Sequence, residues 1–307
     1  KKRHEYMIQG KQLAELAVST IIHTDAPNMV DGYAMTPLPP PKLSDFEILA
    51  PISRGAYGSV FLSRRKQTKD IFALKMIRAA DLSTKNEVLN IEREVMCRAL
   101  HHSVVSFYWS FRADDNVFFV LSFAKGGDFY GLLYSVGSLE EDVAIFYLCE
   151  LISAVEQLHE HGIVHCDLKP DNLLINNSGH LQLTDFGLSK FGAEQRELSR
   201  SLLFRFAPPE NYEVREGRNH MVGTPNYMAP ESLLQNDFGP AVDWWAVGVI
   251  AYEFVVGETP FQGENESQVF ARIVEGTIEW PEDIELSPSY LSLVNGLLQV
   301  DPKERMD

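Results

Sequence analysis

Two short runs of polar residues in the middle of the chain have residue types that suit chemistry on a phosphate group. The first extends from His165 to Asn172 and reads His-Cys-Asp-Leu-Lys-Pro-Asp-Asn, and the second, Asp-Phe-Gly, begins at Asp185. Carboxylate and amide oxygens are ligands that Mg²⁺ prefers, and such a cation commonly accompanies bound phosphates. Each acidic residue alone is more often a turn residue or a helix cap. The order and spacing of the whole set therefore carry the prediction.

Strand patterns dominate residues 46–123, and helix patterns dominate the chain after them. The predicted strands are Phe46–Ile52, Val60–Ser63, Ile71–Ile77, Val104–Phe111 and Val117–Phe123, with a helix at about residues 85–100 between them. Helices are expected from residue 128 onward. An apolar stripe predicts one long helix, and its members are Val143, Phe146, Leu151, Val155 and Leu158. Residues 244–255 are apolar nearly all round, which predicts a buried helix.

The two polar runs resemble the catalytic loop and the metal-binding turn of protein kinases. The resemblance covers about residues 45–307. It implies an α+β, two-lobed kinase fold, with an antiparallel sheet plus one helix in the N-lobe and a mainly helical C-lobe. The expected division is an N-terminal extension with a Pro-rich linker (1–44), the N-lobe (45–123) and the C-lobe (124–307). The last helix of the lobe and a C-terminal tail are expected to be missing.

The resemblance assigns roles to the two runs and implies ATP and Mg²⁺ as cofactors. Asp167 would accept the proton of the substrate hydroxyl, and Lys169 would steady the γ-phosphate. Asn172 and Asp185 would hold Mg²⁺. Thr224 would hydrogen-bond to the catalytic Asp and Lys and help to shape the hydroxyl site.

The N-lobe would supply most of the nucleotide contacts. Lys75 would hold the α- and β-phosphates and pair with Glu92, which is preferred to Glu94 because Glu94 faces another side of the helix. A glycine-rich loop would approach the phosphates, with Ser53 in place of the first glycine. The residues expected at the nucleotide are Ile52, Ser53, Gly55, Gly58, Val60, Ala73, Lys75, Leu121, Ser122, Ala124, Asp128 and Leu174.

Two structural anchors of kinases also have counterparts in the sequence. Glu231 ends an Ala-Pro-Glu run and is expected to form a buried ion pair with Arg305. Asp243 resembles the helix aspartate that anchors the catalytic loop.

Several segments are similar to the AGC class of Ser/Thr kinases. Residues 223–231 read Gly-Thr-Pro-Asn-Tyr-Met-Ala-Pro-Glu, and residues 51–58 and 183–190 look most like the Greatwall branch and its microtubule-associated relatives. Asp128, Asp171 and Glu253 fall where basophilic AGC kinases keep acids for arginines upstream of the target. Protein substrates that are basic around the target Ser or Thr are therefore expected. The alternative is that these acids are solvated or structural.

The chain departs from the AGC pattern at two single residues and in one insertion. Cys166 stands where the family usually has the Arg that binds an activation-loop phosphate, and His220 stands where the phosphorylated Thr would be. We infer a kinase that does not need that phosphate. An insertion of about residues 191–218 lengthens the activation segment, and it is either functional or a tolerated surface insertion.

Composition limits the partners and the compartment. A formal charge of −16 argues against nucleic acid or anionic membranes as partners, although the charge also aids solubility. No apolar run is long enough to span a bilayer. Cys97, Cys149 and Cys166 have no metal-ligand spacing, and they are expected to be reduced thiols in a cytoplasmic or nuclear protein.

Residues 4–22 allow a short amphipathic helix. Residues 1–36 would be either a disordered leader or a substitute for the missing tail, which leaves a regulatory partner or tail segment as a candidate ligand of the N-lobe. The chain is thus expected to be an ATP- and Mg²⁺-dependent protein Ser/Thr kinase. The alternatives are a catalytically weak kinase-fold scaffold that acts through its insertion and extension, and, more remotely, a small-molecule kinase.

Overall fold

The computed structural model describes residues 29–30, 33–34, 41–55, 58–78, 92–99, 101–114, 116–191, 225–234 and 239–307. The chain divides into two compact units, residues 1–123 and 124–307. The predicted helix in residues 4–22 and nearly all of the 191–218 insertion lie outside the described residues. None of the helices within the described ranges has the length and apolar character needed to cross a membrane.

Seven strands and one helix belong to the described part of the first unit. They are β1 (Met29–Val30), β2 (Tyr33–Ala34), β3 (Phe46–Gly55), β4 (Gly58–Arg65), β5 (Ile71–Ile77), α1 (92–98), β6 (Phe107–Ala113) and β7 (Asn116–Ser122). β1 and β2 pair with each other, and the other five form one antiparallel sheet in the order β3-β4-β5-β7-β6. The five predicted strands are confirmed, and one of them, Ile71–Ile77, has the predicted bounds.

The five-stranded sheet has buried side chains on both faces, which explains why its strands are so apolar. On one face Phe46 stacks on Phe111 and meets the edge of Phe72. Side chains alternate along β5, so Lys75 points to the opposite face, next to Phe119 of β7. A register shift of one residue would place Lys75 among the aromatic rings, and this fixes the pairing.

The described part of the second unit is mainly helical. Its helices are α2 (Phe129–Val136), α3 (Glu141–Glu160), α4 (Pro230–Leu233), α5 (Ala241–Val256), α6 (Glu266–Glu275) and α7 (Pro288–Leu297). Two small antiparallel pairs accompany them: β8 (Ile163–Val164) with β11 (Lys190–Phe191), and β9 (Leu173–Ile175) with β10 (Leu181–Leu183). These pairs carry the loops that hold the candidate site. The two units together confirm the predicted α+β kinase fold class.

Helix α5 forms the centre of the second unit, as its sequence predicts. All residues from Val242 to Val255 are buried. Trp245 stacks on Phe261, and Gly248 allows α7 to approach closely. A Cβ atom at Gly248 would lie 2.9 Å from side-chain atoms of Leu297 and Leu298. A larger residue there would push α7 away from α5.

The apolar stripe predicted for helix α3 is partly wrong. Val143 and Phe146 are 39% and 46% exposed. The buried face repeats at spacings of four and three residues, through Ala144, Leu148, Leu151, Val155 and Leu158. Successive helical residues are rotated by about 100°, so an apolar residue one position from the buried face turns toward solvent. Periodicity located the helix and three of its five predicted core residues.

Candidate functional site

The polar run at 165–172 forms a compact hydrogen-bonded loop between β8 and β9. Lys169 Nζ lies 3.0 and 2.9 Å from the two carboxylate oxygens of Asp167. Asn172 donates from Nδ2 to the Asp167 backbone oxygen at 2.7 Å and to its carboxylate at 3.0 Å. Asp167 is only partly buried, so its carboxylate is held by two neighbours and still reaches solvent. That arrangement suits a group that accepts a proton from a bound hydroxyl.

A buried aspartate on helix α5 holds the backbone of this loop. Asp243 accepts hydrogen bonds from the backbone N–H groups of His165 and Cys166, both at 2.8 Å, and lies 2.8 Å from His159 Nε2. Cys166 has φ 66°, in the left-handed region that costs a non-glycine residue about 1–3 kcal/mol. The carboxylate of Asp243 therefore stabilises a strained conformation next to Asp167. This confirms the predicted anchoring role of Asp243.

The ring of His165 connects the loop to the Asp-Phe-Gly turn. The Asp167 backbone N–H donates to His165 Nδ1 at 3.3 Å, and His165 Nε2 lies 3.2 Å from the Thr184 carbonyl oxygen. An acceptor at Nδ1 requires the proton on Nε2, so the ring donates to Thr184. His165 is completely buried and packs against Phe186. The ring thus fixes the spacing between the two polar runs.

The two expected metal ligands stand at the same end of the β9–β10 hairpin. Leu173 pairs with Leu183, and the Thr184 N–H donates to the Asn172 carbonyl, so Asn172 and Asp185 each extend from that end. Asn172 uses its amide nitrogen as a donor to Asp167, so its amide oxygen is the atom that could bind a cation. Asp185 has φ 63°.

An amide and a carboxylate fit Mg²⁺, which takes one or two protein carboxylates and fills its shell with waters and phosphates. Within the described ranges, no cluster of three or more His, Cys, Asp or Glu side chains could hold a metal.

In the first unit, the predicted ion pair is confirmed. Lys75 Nζ lies 2.6 Å from Glu92 Oε1, and both side chains are nearly buried. Glu94, the competing partner, pairs instead with Arg98 one helical turn later. Glu94 is exposed, as its position two residues further around the helix requires.

The β3–β4 hairpin carries the predicted phosphate loop. Gly55 pairs with Gly58, and Ser53 pairs with Val60. A Cβ atom at Gly58 would lie 2.0 Å from the Met76 carbonyl oxygen, so only glycine fits beside β5.

The remaining residues expected at the nucleotide include several that pair with one another within each unit. In the first unit Val60 pairs with Lys75, and Ala73 pairs with Leu121, while Ile52 is 47% exposed. Ser122 forms two hydrogen bonds with Ser106.

In the second unit Asp128 bridges to Leu174, and Ala124 is buried. Asp128 also caps helix α2 by accepting from the Gly131 N–H at 2.7 Å. Thr224 and His220 lie outside the described residues.

One of the acids expected to bind arginine, Glu253, is buried and hydrogen-bonded to a tyrosine. Glu253 is 9% exposed and accepts a 2.6 Å hydrogen bond from the Tyr227 hydroxyl. Burial raises the pKa of Glu253 from 4.5 to about 7, the Tyr227 hydrogen bond opposes this rise, and nearby Asp171 adds to it. Burial and Glu253 raise the pKa of Tyr227 far above its usual range. We call Asp171 and Glu253 the acid cluster; with a pKa of about 7, the carboxyl of Glu253 changes its charge near neutral pH.

The guanidinium group of Arg305 connects helices α4 and α5 with the segment that follows α7. Arg305 forms a two-pronged ion pair with Glu231 at 2.6 and 3.0 Å, which confirms the predicted pair. It also donates to three backbone carbonyls, and it lies over the Trp245 ring at 5.1 Å. Glu231 and Arg305 are both 5% exposed, so each charge depends on the other.

Two partners in these networks were missed by sequence reasoning. The motif at residues 223–231 contains Tyr227 but assigns it no role, and no sequence pattern points to His159. Each meets its partner across a long stretch of chain, 26 residues for Tyr227–Glu253 and 84 for His159–Asp243. For Tyr227 the one available signal was its place beside the expected substrate acids. For His159 no local signal existed.

Comparison with known families gives one match that covers most of the chain. The family described as "Protein kinase domain" matches residues 46–307. Its start coincides with the first residue of β3. The matched range includes both polar runs and the Lys75–Glu92 pair.

Individual relatives agree with the family match. Two from Arabidopsis thaliana are each 41% identical: "Probable serine/threonine protein kinase IREH1", over 94% of this chain and 24% of the relative, and "Probable serine/threonine protein kinase IRE4", over 86% and 26%. "Serine/threonine-protein kinase LATS1" of Mus musculus is 36% identical over 82% of this chain and 25% of its own length. The chain thus spans about a quarter of the length of these curated relatives.

Proposed function

Because the chain belongs to the protein kinase family and is a serine/threonine protein kinase domain, we propose that it transfers the γ-phosphoryl group of ATP to Ser or Thr hydroxyls of protein substrates. The observation that carries this proposal is the network of Asp167, Lys169 and Asn172, held by Asp243. Phosphoryl transfer needs alignment and charge neutralisation more than covalent catalysis, and this network supplies both.

Each residue of the network has a physical task in that reaction. Asp167 accepts the proton of the attacking hydroxyl, and Lys169, which now neutralises Asp167, is positioned to share its charge with the transferred phosphate. Lys75, fixed by Glu92, would hold the α- and β-phosphates. Asn172 and Asp185 would hold Mg²⁺, which neutralises charge on the phosphates when bound.

Turnover of Mg·ATP with a generic basic peptide tests the proposal against a catalytically weak scaffold. Asp185→Ala should lower kcat by about 10²-fold or more, because it removes a metal-binding carboxylate without touching the Asp243 anchor. A Val274→Ala variant, altered at an exposed residue of α6, should retain full activity. Equal background from the wild type and Asp185→Ala would favour the scaffold.

We further propose that the chain is an AGC kinase of the Greatwall type. The support is the sequence of residues 51–58, 183–190 and 223–231. A peptide array distinguishes the assignments, because a basophilic AGC kinase would select arginine upstream of the target. A profile that requires proline directly after the target would contradict the AGC assignment.

Substrates with an arginine near the target residue are proposed from the acid cluster of the second unit. Asp171 is exposed beside the catalytic loop, and it lies close enough to Glu253 to raise the pKa of that carboxyl. A guanidinium would relieve the repulsion between the two carboxylates and bind both. Asp171→Asn should raise KM for an arginine-containing peptide and leave KM for its alanine analogue unchanged.

We propose that catalysis does not require the usual activation-loop phosphate. The thiol of Cys166 brings no positive charge to the loop, while the backbone there is already held by Asp243. Phosphatase treatment with mass spectrometry before and after tests this. Full activity of the dephosphorylated protein is expected, and loss of activity would contradict it.

Two further proposals concern a binding partner of the first unit and the location of the protein in the cell. A regulatory partner or tail segment is proposed to bind the first unit, which has a cavity of about 780 Å³ lined by residues 41–44 and 110–114. Arg112→Glu should then weaken such binding without changing basal activity. A cytoplasmic or nuclear location is proposed, and a fluorescent fusion would test it.

A further inference from the structure

Two tyrosines on helix α2 are strongly exposed without an evident structural task. Tyr134 is 85% exposed and Tyr130 is 55% exposed, and Tyr134 has the largest exposure among the large hydrophobic side chains that the structure describes. They are four residues apart and so share one face of the helix. The core contacts of α2 come from an adjacent face, where Phe129 and Leu133 are buried. We call Tyr130 and Tyr134 the aromatic strip.

The aromatic strip begins next to the acid cluster. Phe129, which precedes Tyr130, stacks on Phe254, which follows Glu253, at 5.2 Å between ring centres. Helix α2 also packs against the 170–172 turn that contains Asp171. Tyr130 is close enough to contribute to the raised pKa of Tyr227. The strip therefore leads away from the acids along the surface of the second unit.

We propose that the aromatic strip binds arginine side chains in a flanking segment of the substrate, beyond the arginine held by Asp171 and Glu253. This inference rests on the proposed function and adds a specificity subsite to it. Tyrosine faces attract guanidinium groups, and helix α2 has no charged residue of its own to compete for them. The adjacent acids favour a basic occupant over an acidic or neutral one.

The spacing of the strip predicts the spacing of the arginines. Residues four apart on a helix are separated by roughly 6 Å along its axis. In an extended peptide, alternate side chains point to the same side and are separated by roughly 7 Å. Two arginines at alternate positions of an extended substrate can therefore stack on Tyr130 and Tyr134 together.

Steady-state kinetics with two peptides tests the proposal. Both peptides carry the arginine next to the target that the acid cluster requires, and one adds two upstream arginines at alternate positions. Tyr134→Ala should raise KM for the longer peptide about 2- to 5-fold, with kcat and the KM of the shorter peptide unchanged. Tyr134→Phe keeps the aromatic face and should behave as the wild type.

A matched control is Val274→Ala, which removes an exposed apolar side chain from α6. It should leave both peptides unaffected, and equal thermal unfolding of all variants checks their fold. The strip proposal is wrong if Tyr134→Ala changes neither KM, or raises both equally, or lowers kcat. If the wild type phosphorylates neither peptide, the proposed kinase activity itself fails, and the two failures are thus distinguished.

Discussion

Replacing Asp243 by asparagine should uncouple the catalytic loop from helix α5. The two carboxylate oxygens accept N–H groups from His165 and Cys166, and asparagine has one oxygen for these two donors. One buried N–H would then face an amide NH₂ group. A lost bond to a charged acceptor and an unpaired buried donor together cost about 2–4 kcal/mol. The strained φ of Cys166 would lose its restraint at the same position.

The effect on activity should be larger than the loss of stability alone explains. Asp167 follows Cys166 directly, so relaxation of that residue misplaces the proton acceptor, and small misplacements can cost about 10²-fold in rate. Urea unfolding followed by circular dichroism would measure the stability, and peptide phosphorylation would measure kcat. Both quantities should fall in Asp243→Asn.

Glu253→Gln supplies the matched control on the same helix. Glu253 is also buried, but its pKa of about 7 means that much of it is already neutral at pH 7. Glutamine keeps an acceptor for the Tyr227 hydroxyl, so its cost should stay below about 1 kcal/mol. If Asp243→Asn loses less than about 0.5 kcal/mol and keeps kcat within about twofold, Asp243 does not hold the loop and the reasoning is wrong.

Four further predictions concern the supporting structure and the buried carboxyl of Glu253. Arg305→Leu should destabilise the protein by about 3–5 kcal/mol in urea unfolding, because Glu231 is left charged and buried; the double variant with Glu231→Gln should recover part of this loss. KM for an arginine peptide should rise as pH falls from about 8 to 6, because Glu253 becomes neutral below its pKa of about 7, and Glu253→Gln should flatten that profile. The buried carboxyl of Glu253 should contribute its full stability below pH 4.5, and this contribution should be lost as pH rises through about 7. The difference between the unfolding free energies of the wild type and Glu253→Gln, measured as a function of pH, would reveal this loss. Gly58→Ala should lower stability by about 1–3 kcal/mol and raise KM for ATP, since its Cβ would collide with the Met76 carbonyl; unchanged values of both would contradict this.

Local patterns were sufficient where a side chain's task depends on its neighbours in the chain. The run of strand-forming apolar residues from Ile71 to Ile77 was enough to predict the bounds of β5. Helical rotation predicts that Glu92 and Glu94 face different sides of α1, and Glu92 is the residue that pairs with Lys75. The same rule failed on α3, where Val143 and Phe146 were included in the core, because periodicity defines a face only to within about one residue.

The sequence by itself determined the chemistry that this chain is equipped for. A motif is defined by residue types and their spacing, and both can be read directly from the sequence. The sequence therefore reveals the order of Asp167, Asn172 and Asp185, and it reveals Cys166 at the position of the usual Arg. Tertiary structure decided what depends on contacts between distant segments. It brought His159 and Asp243 together across 84 residues, and it buried Glu253 under Tyr227 so that its pKa rises to about 7. It also left Tyr134 exposed. Burial and long-range pairing follow from the packing of the whole unit, and no local pattern contains that information.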